Sequence, residues 1–491
     1  MIRKVHSYTT PLLAITLATL TGCISNPVVI DNNASVKVAG YTGTAQNHLE
    51  ENGEIKVNRD NLHDLLVVGK AFHDAGMWAE SNDVLNSASE KLMWKEDSID
   101  TPEEALRFVG TTMTNDTLAD YTGRIYEGMM LDYYIAMNSL MLGEENLARV
   151  NFNRLEQRQG NAEIQLQAYT RSIQNANTDP EDSYDRELVN NTLEQASDSE
   201  FDRGLQNLPA NLNAAQIRSP SGDLVNAIFR QTSSSDQDRK SDKTKNAISS
   251  VQSRAADDSS RRFAGDLELA FKNLKEEFVF VVYEDGVGPS INEFRIDLPL
   301  ALVSDDLLYA GVALPEFVPG SSSNNSITIS QGENQSSTVL VTDLNRLTSL
   351  EFQSSYDAKV KKEVASAVIK TVAQIAANRA IDEETSDNPL AGLLMKVAVA
   401  GTAAALTQAD TRHWNNLPNH IQLGMMKKKA DVPLTLKSAT GQHLAKAPYT
   451  PGHQLIYVRQ QSVGGDVKVF SQRLPARETA MEIATNWAPA E

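Results

Sequence analysis

One short segment holds the side chains best suited to chemistry in this sequence. Asp410, Arg412 and His413 could supply a carboxylate, a cation and an imidazole to a hydrolytic site whose other members lie elsewhere in the chain. A structural role is the alternative, since Asp410 and Arg412 are close enough to pair and Pro418 redirects the chain. In that role Trp414 anchors a corner, whereas an exposed Trp414 beside Arg412 would form a contact site for a partner.

No linear catalytic motif elsewhere in the sequence supports an enzyme. The eight histidines show no metal-ligand spacing, and neither a Gly-x-Ser-x-Gly nor a Ser-x-x-Lys motif occurs. The formal net charge of −19 disfavours nucleic acid as a partner, because a surface this acidic repels phosphate groups. The sequence therefore predicts no catalytic residue, no metal and no cofactor. A hydrolase whose site is assembled from distant residues is the alternative.

The only cysteine, Cys23, follows a short apolar run and closes the sequence Leu20-Thr21-Gly22-Cys23. The apolar run has about ten residues, too few to span a bilayer core of roughly 30 Å. The arrangement resembles the lipobox of bacterial lipoproteins, which implies that residues 1–22 are a removed signal peptide and that Cys23 carries acyl chains such as palmitate. The residue after Cys23 is Ile24 and not an acidic residue. The resemblance therefore implies attachment to the outer membrane, with the chain on its periplasmic face. A chance cysteine beside an ordinary signal peptide is the alternative.

Helical periodicity marks residues 61–205. The apolar residues of positions 65–88 have spacings that resemble a tetratricopeptide repeat (TPR), with Gly69 at the close contact between paired helices and Trp78 in the core. A poorer match begins near Tyr133. Stacked hairpins of this kind would offer a short groove for one helix or one extended peptide, and an ordinary helical bundle is the alternative.

Two polar stretches are predicted to connect the folded parts. Residues 23–60 are polar and weakly patterned, which predicts a lipidated tether between the membrane and the first helices. Residues 206–265 contain a stretch rich in Ser, Asp and Lys with few large apolar residues, which predicts a polar linker.

Strand-like patterns dominate residues 266–491. The run Phe278-Val279-Phe280-Val281-Val282-Tyr283 predicts a buried strand, and residues 292–298 alternate as a half-buried one. These patterns are typical of an antiparallel β-sandwich or barrel-like domain, with a helical hairpin inserted at about residues 357–412. Further strands are expected near residues 326–330, 337–341, 432–437, 454–459 and 467–472.

Four features occur together along the chain. They are the lipobox, the helical-repeat half, the motif Gly286-x-Gly288-Pro289 before a strand, and Asp410-x-Arg412-x-Trp414-x-x-Leu417-Pro418. Together they resemble a family of uncharacterised bacterial outer-membrane lipoproteins with a TPR-like N-terminal half and a β-rich C-terminal half. The resemblance implies an α+β multidomain fold without catalytic residues.

The function expected from these features is that of a protein–protein interaction scaffold in cell-envelope biogenesis. Its partners would be the lipid bilayer, through acylated Cys23, and a periplasmic or outer-membrane protein. An envelope hydrolase with a non-linear active site is the alternative function.

Overall fold

The computed structural model describes residues 31–96, 121–175, 183–195, 198–255, 257–299, 309–384 and 409–485. Cys23 and the predicted signal peptide lie outside these residues, as does the second helix of the predicted inserted hairpin. In the described part of the chain, no helix is both long enough and apolar enough to cross a membrane.

Helices α1 to α11 precede the first strand, and α12 lies among the strands. Asn61 caps the start of α2, because its side chain accepts hydrogen bonds from the N–H groups of His63 and Asp64. Gly76 caps the end of α2, and its positive φ of 80° favours glycine. The bounds are α1 Asn32–Gln46, α2 Leu62–Ala75, α3 Trp78–Glu96, α4 Ile125–Met141, α5 Glu145–Asn175, α6 Ser183–Gln195, α7 Asp198–Phe201, α8 Pro220–Thr232, α9 Asp236–Lys240, α10 Lys243–Arg254, α11 Asp258–Phe271 and α12 Leu344–Glu384.

The close contact predicted at Gly69 is confirmed. A Cβ atom placed on Gly69 would lie 2.3 Å from Cδ2 of Leu85, so only glycine lets α2 and α3 approach this closely. Trp78, at the start of α3, is 3% exposed, which confirms its predicted place in the core. These contacts form one helical hairpin at the positions that the spacing indicates.

Strands β1 to β12 form two sheets and a ribbon. The larger sheet has the order β12-β11-β10-β1-β7-β6, the four-stranded sheet has the order β5-β4-β8-β9, and β2 pairs with β3. The α+β class is confirmed, while the expected antiparallel pairing differs from the structure at β1 and β10, which are parallel. The bounds are β1 Phe278–Asp285, β2 Ser290–Pro299, β3 Tyr309–Val318, β4 Ile327–Gln331, β5 Asn334–Ser337, β6 Val339–Asp343, β7 His420–Lys427, β8 Leu434–Ser438, β9 His443–Ala447, β10 His453–Gln460, β11 Val467–Leu474 and β12 Met481–Glu482.

Strand β1 lies between the helices and the four-stranded sheet. On one face, Val279 and Val281 share an apolar core with Ile329 of β4. On the other face, side chains of α2 and α4 contact β1 and β10, and α4 is buried along its whole length. The predicted peptide groove would be formed by these faces of α2 and α4. In the structure the larger sheet of the same chain covers them.

The stretch predicted as a tether is partly a bound helix. Residues 32–46 form α1, which is kinked at Gly40, and the amide of Asn32 donates to the carbonyl of Val67 at 3.1 Å. The backbone N–H of Tyr41 donates to Asp466 at 2.9 Å, and the Tyr41 ring is buried. The tether prediction is wrong for these residues. The segment lacks the apolar stripe from which a bound helix is predicted, and single hydrogen bonds and one aromatic ring hold it instead.

The stretch predicted as a linker, residues 206–265, is helical over much of its length. It contains α8, α9 and α10 and the start of α11, and Ile248, Val251 and Phe263 are buried. The boundaries at residues 206 and 265 do not separate compact units, since Asp31–Glu491 form one. The prediction is wrong because a few apolar residues at helical spacing suffice when the opposite faces of the helices are polar.

The predicted inserted hairpin begins earlier than expected. Its first helix, α12, starts at Leu344 instead of about residue 357. Val360, Val364 and Val368 form its apolar stripe and share a core with Phe294 and Phe317 of the β2–β3 ribbon. Val189 of α6 belongs to the same core, so among the described residues the ribbon and α6 together cover this stripe.

Candidate functional site

Four buried charged side chains join the helical layer to the larger sheet. Lys70 and Asp74 lie one turn apart on α2, while Glu284 of β1 and Arg459 of β10 are neighbours in the parallel register. The ammonium of Lys70 pairs with Asp74 and lies 3.1 Å from the Glu284 carboxylate. Arg459 lies 3.5 Å from Asp74 and donates to the carbonyl oxygen of Gly286 at 2.8 Å. We call these four residues the ionic cluster; its two positive and two negative charges balance.

His73 lies beside the ionic cluster with both ring nitrogens occupied. Its Nδ1 is 2.6 Å from Oδ1 of Asn138, and its Nε2 is 2.9 Å from the hydroxyl of Tyr457. Burial, aided by the charge of Lys70, holds the pKa of His73 well below its usual value. The imidazole is therefore neutral and serves as a hydrogen-bonding link between α2, α4 and β10.

His73, Asp74 and Glu284 are also close enough to hold a metal ion, since one ligand atom of each lies within 4.8 Å of the others. The surrounding groups argue against this use. Lys70 and Arg459 already supply the positive charge that the two carboxylates need, and the ring nitrogens of His73 already have partners. The donor set therefore fits an ion-pair network better than a metal site.

The structure brings Asp410 and Arg412 together as an ion pair. Arg412 Nε lies 2.8 Å from Asp410, and its guanidinium lies 5.6 Å from the ring centroid of Tyr121. Hydrogen bonds from Arg412 hold the pKa of Asp410 below its usual value, although burial opposes this effect. His413 is buried, and burial lowers its pKa to about 4. The predicted hydrolytic trio thus consists of an ion pair and a neutral, buried imidazole.

Trp414 lies in the interior. It is 1% exposed, its backbone N–H donates to Glu127 at 2.7 Å, and its ring meets Tyr134 edge-on at 5.7 Å. Leu417, just before Pro418, accepts a hydrogen bond from the N–H of Gly288 at 2.8 Å. These contacts tie the segment to α4 on one side and to the β1–β2 turn on the other, as a corner would.

Two buried carboxylates lie beside this corner, on Glu127 and Glu351. Glu351 accepts a hydrogen bond from the N–H of Ile125 at 2.9 Å, at the start of α4. Burial raises the pKa of Glu351 to about 7, and the charge of Glu127 adds to the rise, while that of Arg124 opposes it. Glu351 therefore changes its charge near neutral pH.

An open cleft of about 690 Å³ lies at the end of β11. The loop after Leu474 forms one wall. The amide of Gln472 fixes this loop by donating to the carbonyl of Glu478 at 2.9 Å, and it also donates to the carbonyl of Leu140 at 2.6 Å. Arg473 and Arg477 line the cleft, are exposed, and have no carboxylate within 4.0 Å among the residues described. Glu478 is the acidic residue of the lining. We call this site the arginine cleft.

Local sequence patterns do not predict the ionic cluster or the arginine cleft. The sequence does contain one sign of the ionic cluster, because Lys70, Glu284 and Arg459 each interrupt or end an apolar run.

Comparisons of the chain with protein families, with curated proteins and with solved structures found no match.

Proposed function

We propose that this protein is a lipid-anchored scaffold of the bacterial cell envelope. In this proposal Cys23 is acylated, the chain is attached to the outer membrane on its periplasmic face, and the folded body binds another envelope protein. The lipobox-like sequence supports the anchor, and the resemblance to outer-membrane lipoproteins supports the location. TPR-like hairpins packed on a β-sandwich-like half are the finer architecture that we propose.

The arginine cleft is the observation that carries the binding role. A chain with a net charge of −19 presents both Arg473 and Arg477 in the lining of one cleft, and among the described residues neither forms an ion pair with a carboxylate. Arginine binds carboxylates through paired N–H groups, and such sites favour an acidic partner segment. The partner bound here is therefore an acidic loop or terminus of an envelope protein.

The covered faces of α2 and α4 favour the arginine cleft over a groove between the helices. Lys70, His73 and Tyr134 point from these helices to Glu284 and Tyr457 of the sheet. A peptide would have to displace these buried polar contacts before it could bind there. The cleft needs no such rearrangement.

Photocrosslinking in intact cells tests the proposal. A photoreactive amino acid at Thr479, in the lining of the cleft, should give a discrete adduct with one envelope protein. The same group at Leu269, an exposed position on α11, is the matched control. The double change Arg473→Gln and Arg477→Gln should remove the Thr479 adduct and leave the protein folded. An adduct that survives both substitutions, or equal adducts from Thr479 and Leu269, would refute the cleft as the binding site.

A further inference from the structure

Helix α1 fixes where the folded body begins. Asp31 caps this helix by accepting a hydrogen bond from the N–H of Ala34 at 3.0 Å. Two residues later, the amide of Asn33 donates to the carbonyl of Asn415 at 2.6 Å. With Tyr41 bound to Asp466, the segment is attached at both ends to distant parts of the chain. The free length between a lipid anchor and the body therefore ends at Asp31.

This attachment limits the distance between the body and the membrane. From Cys23 to Asp31 there are 31 − 23 = 8 residue steps, which reach at most about 29 Å when fully extended. A tether over residues 23–60, as the sequence predicts, would reach about 130 Å. This limit holds when Cys23 is acylated, which belongs to the proposed function.

Helix α1 and the hairpin bonded to it have exposed apolar side chains. Val38 of α1 is 91% exposed, and Val463, at the tip of the hairpin between β10 and β11, is 66% exposed. The two elements are joined, because the side chain of Gln461 donates to Asn33 and Asp466 accepts from Tyr41. We call α1 and residues 462–465 together the anchor-side surface.

We propose that the anchor-side surface lies against the lipid headgroups, with Val38 and Val463 in contact with the bilayer. The short link from Cys23 brings this surface to the membrane, and the two valines provide apolar contact there. The exposed charged residues near the two valines are of both signs: Lys37 is positive, and Asp31 and Asp466 are negative. Attraction to anionic lipids is therefore not what holds this surface at the membrane. The occupant is the lipid surface and not a second protein.

The lone cysteine of the chain makes a clean experiment possible. Once Cys23 is acylated, Val463→Cys supplies the one free thiol, which can carry a fluorophore. The labelled lipoprotein is placed in phosphatidylcholine vesicles with and without lipids that carry a nitroxide on the headgroup, a quencher that acts at contact. We expect loss of fluorescence for the label at position 463, and the same for Val38→Cys.

Leu269→Cys is the matched control. Leu269 is 60% exposed on α11, which packs on β6. Strand β6 is four strands away from β11 in the sheet, a distance of about 19 Å. The two labels also lie near opposite ends of β1. Helix α11 precedes the first residue of β1, whereas the hairpin tip follows Gln460, which pairs with Asp285, the last residue of β1. A label at position 269 should keep its fluorescence.

Vesicle flotation separates the two proposals. A protein that does not float with the vesicles lacks the anchor, which overturns the proposed attachment and this inference with it. A protein may instead float with the vesicles and show equal quenching, or none, at positions 463 and 269. The anchor is then present, but the proposed contact of the anchor-side surface with the membrane is overturned. A flexible Gly/Ser spacer of about 20 residues inserted between Ile30 and Asp31 should relieve the quenching at position 463. Unchanged quenching with the spacer would show that the link does not hold this surface at the membrane, which also overturns the inference.

Discussion

Replacing Lys70 with methionine should strongly destabilise the protein. Lys70 is fully buried, and its ammonium lies 3.1 Å from the carboxylate of Glu284. At an effective dielectric constant of about 20, two unit charges at that distance attract by about 5 kcal/mol. Methionine fills a similar volume but leaves Asp74 and Glu284 with only Arg459 to balance them. We therefore expect a loss of about 3–5 kcal/mol in the free energy of unfolding.

Thermal unfolding followed by circular dichroism measures this loss. At about 2.1 cal/mol/K per residue, a body of this size has an unfolding entropy of about 1 kcal/mol/K, so Lys70→Met should lower Tm by about 3–5 °C. Lys240→Met is the matched control, because Lys240 is 80% exposed and its pairing with Asp236 contributes at most about 0.5 kcal/mol. Its Tm should be unchanged.

A double-mutant cycle tests the charge argument itself. Glu284→Gln removes one of the two negative charges, so the double variant Lys70→Met, Glu284→Gln retains the balanced pair of Asp74 and Arg459. We expect the double variant to lose less stability than the sum of the two single variants, by at least about 1 kcal/mol. If the losses add within about 0.5 kcal/mol, the ionic cluster is not a coupled unit, and the packing of Lys70 alone explains its effect.

Changes at four further sites, Gly69, Trp78, Cys23 and Glu351, have expected outcomes. Gly69→Leu should overpack the α2–α3 contact and destabilise by about 1–3 kcal/mol, and Trp78→Ala should cost about 3–5 kcal/mol, both read from thermal unfolding; silent changes would contradict the hairpin packing. Cys23→Ser should release or misprocess the protein, and a mature variant that stays with the outer-membrane fraction after a salt wash would contradict the lipid anchor. Because the folded pKa of Glu351 is raised to about 7, the protonated form is favoured in the fold, and stability should fall by up to about 3 kcal/mol as pH rises from about 4.5 to 7. Glu351→Gln should flatten this dependence in unfolding curves across that pH range, and an unchanged slope would show that another group titrates.

Local sequence patterns predict several elements well. The run from Phe278 to Tyr283 lies in β1, because β-branched and aromatic residues without interruption favour a buried strand. Strands with an interrupted pattern are not predicted. Pro315 interrupts β3 and Gly424 interrupts β7, and because both residue types are unfavourable inside strands, neither strand is expected from the sequence.

The candidate sites could not be predicted in the same way. Lys70 and Glu284 are 214 positions apart, and Asp74 and Arg459 are 385 positions apart. No local rule connects such residues, since their contact exists only after α2 packs on the parallel pair of β1 and β10. The arginine cleft likewise requires the loop after Leu474 to be fixed against the end of α4.

The sequence by itself determined the lipobox-like pattern, the helical periodicity of the first half and the strand-rich character of the second, because each depends on residues close together in the chain. The tertiary structure alone decided that α1 is bound to the body, that residues 206–265 are helical, and that the helices face the sheet. The physical reason is that a polar segment folds when distant groups satisfy its hydrogen bonds, as Val67 does for Asn32 and Asp466 does for Tyr41. Those partners come together only in the complete fold.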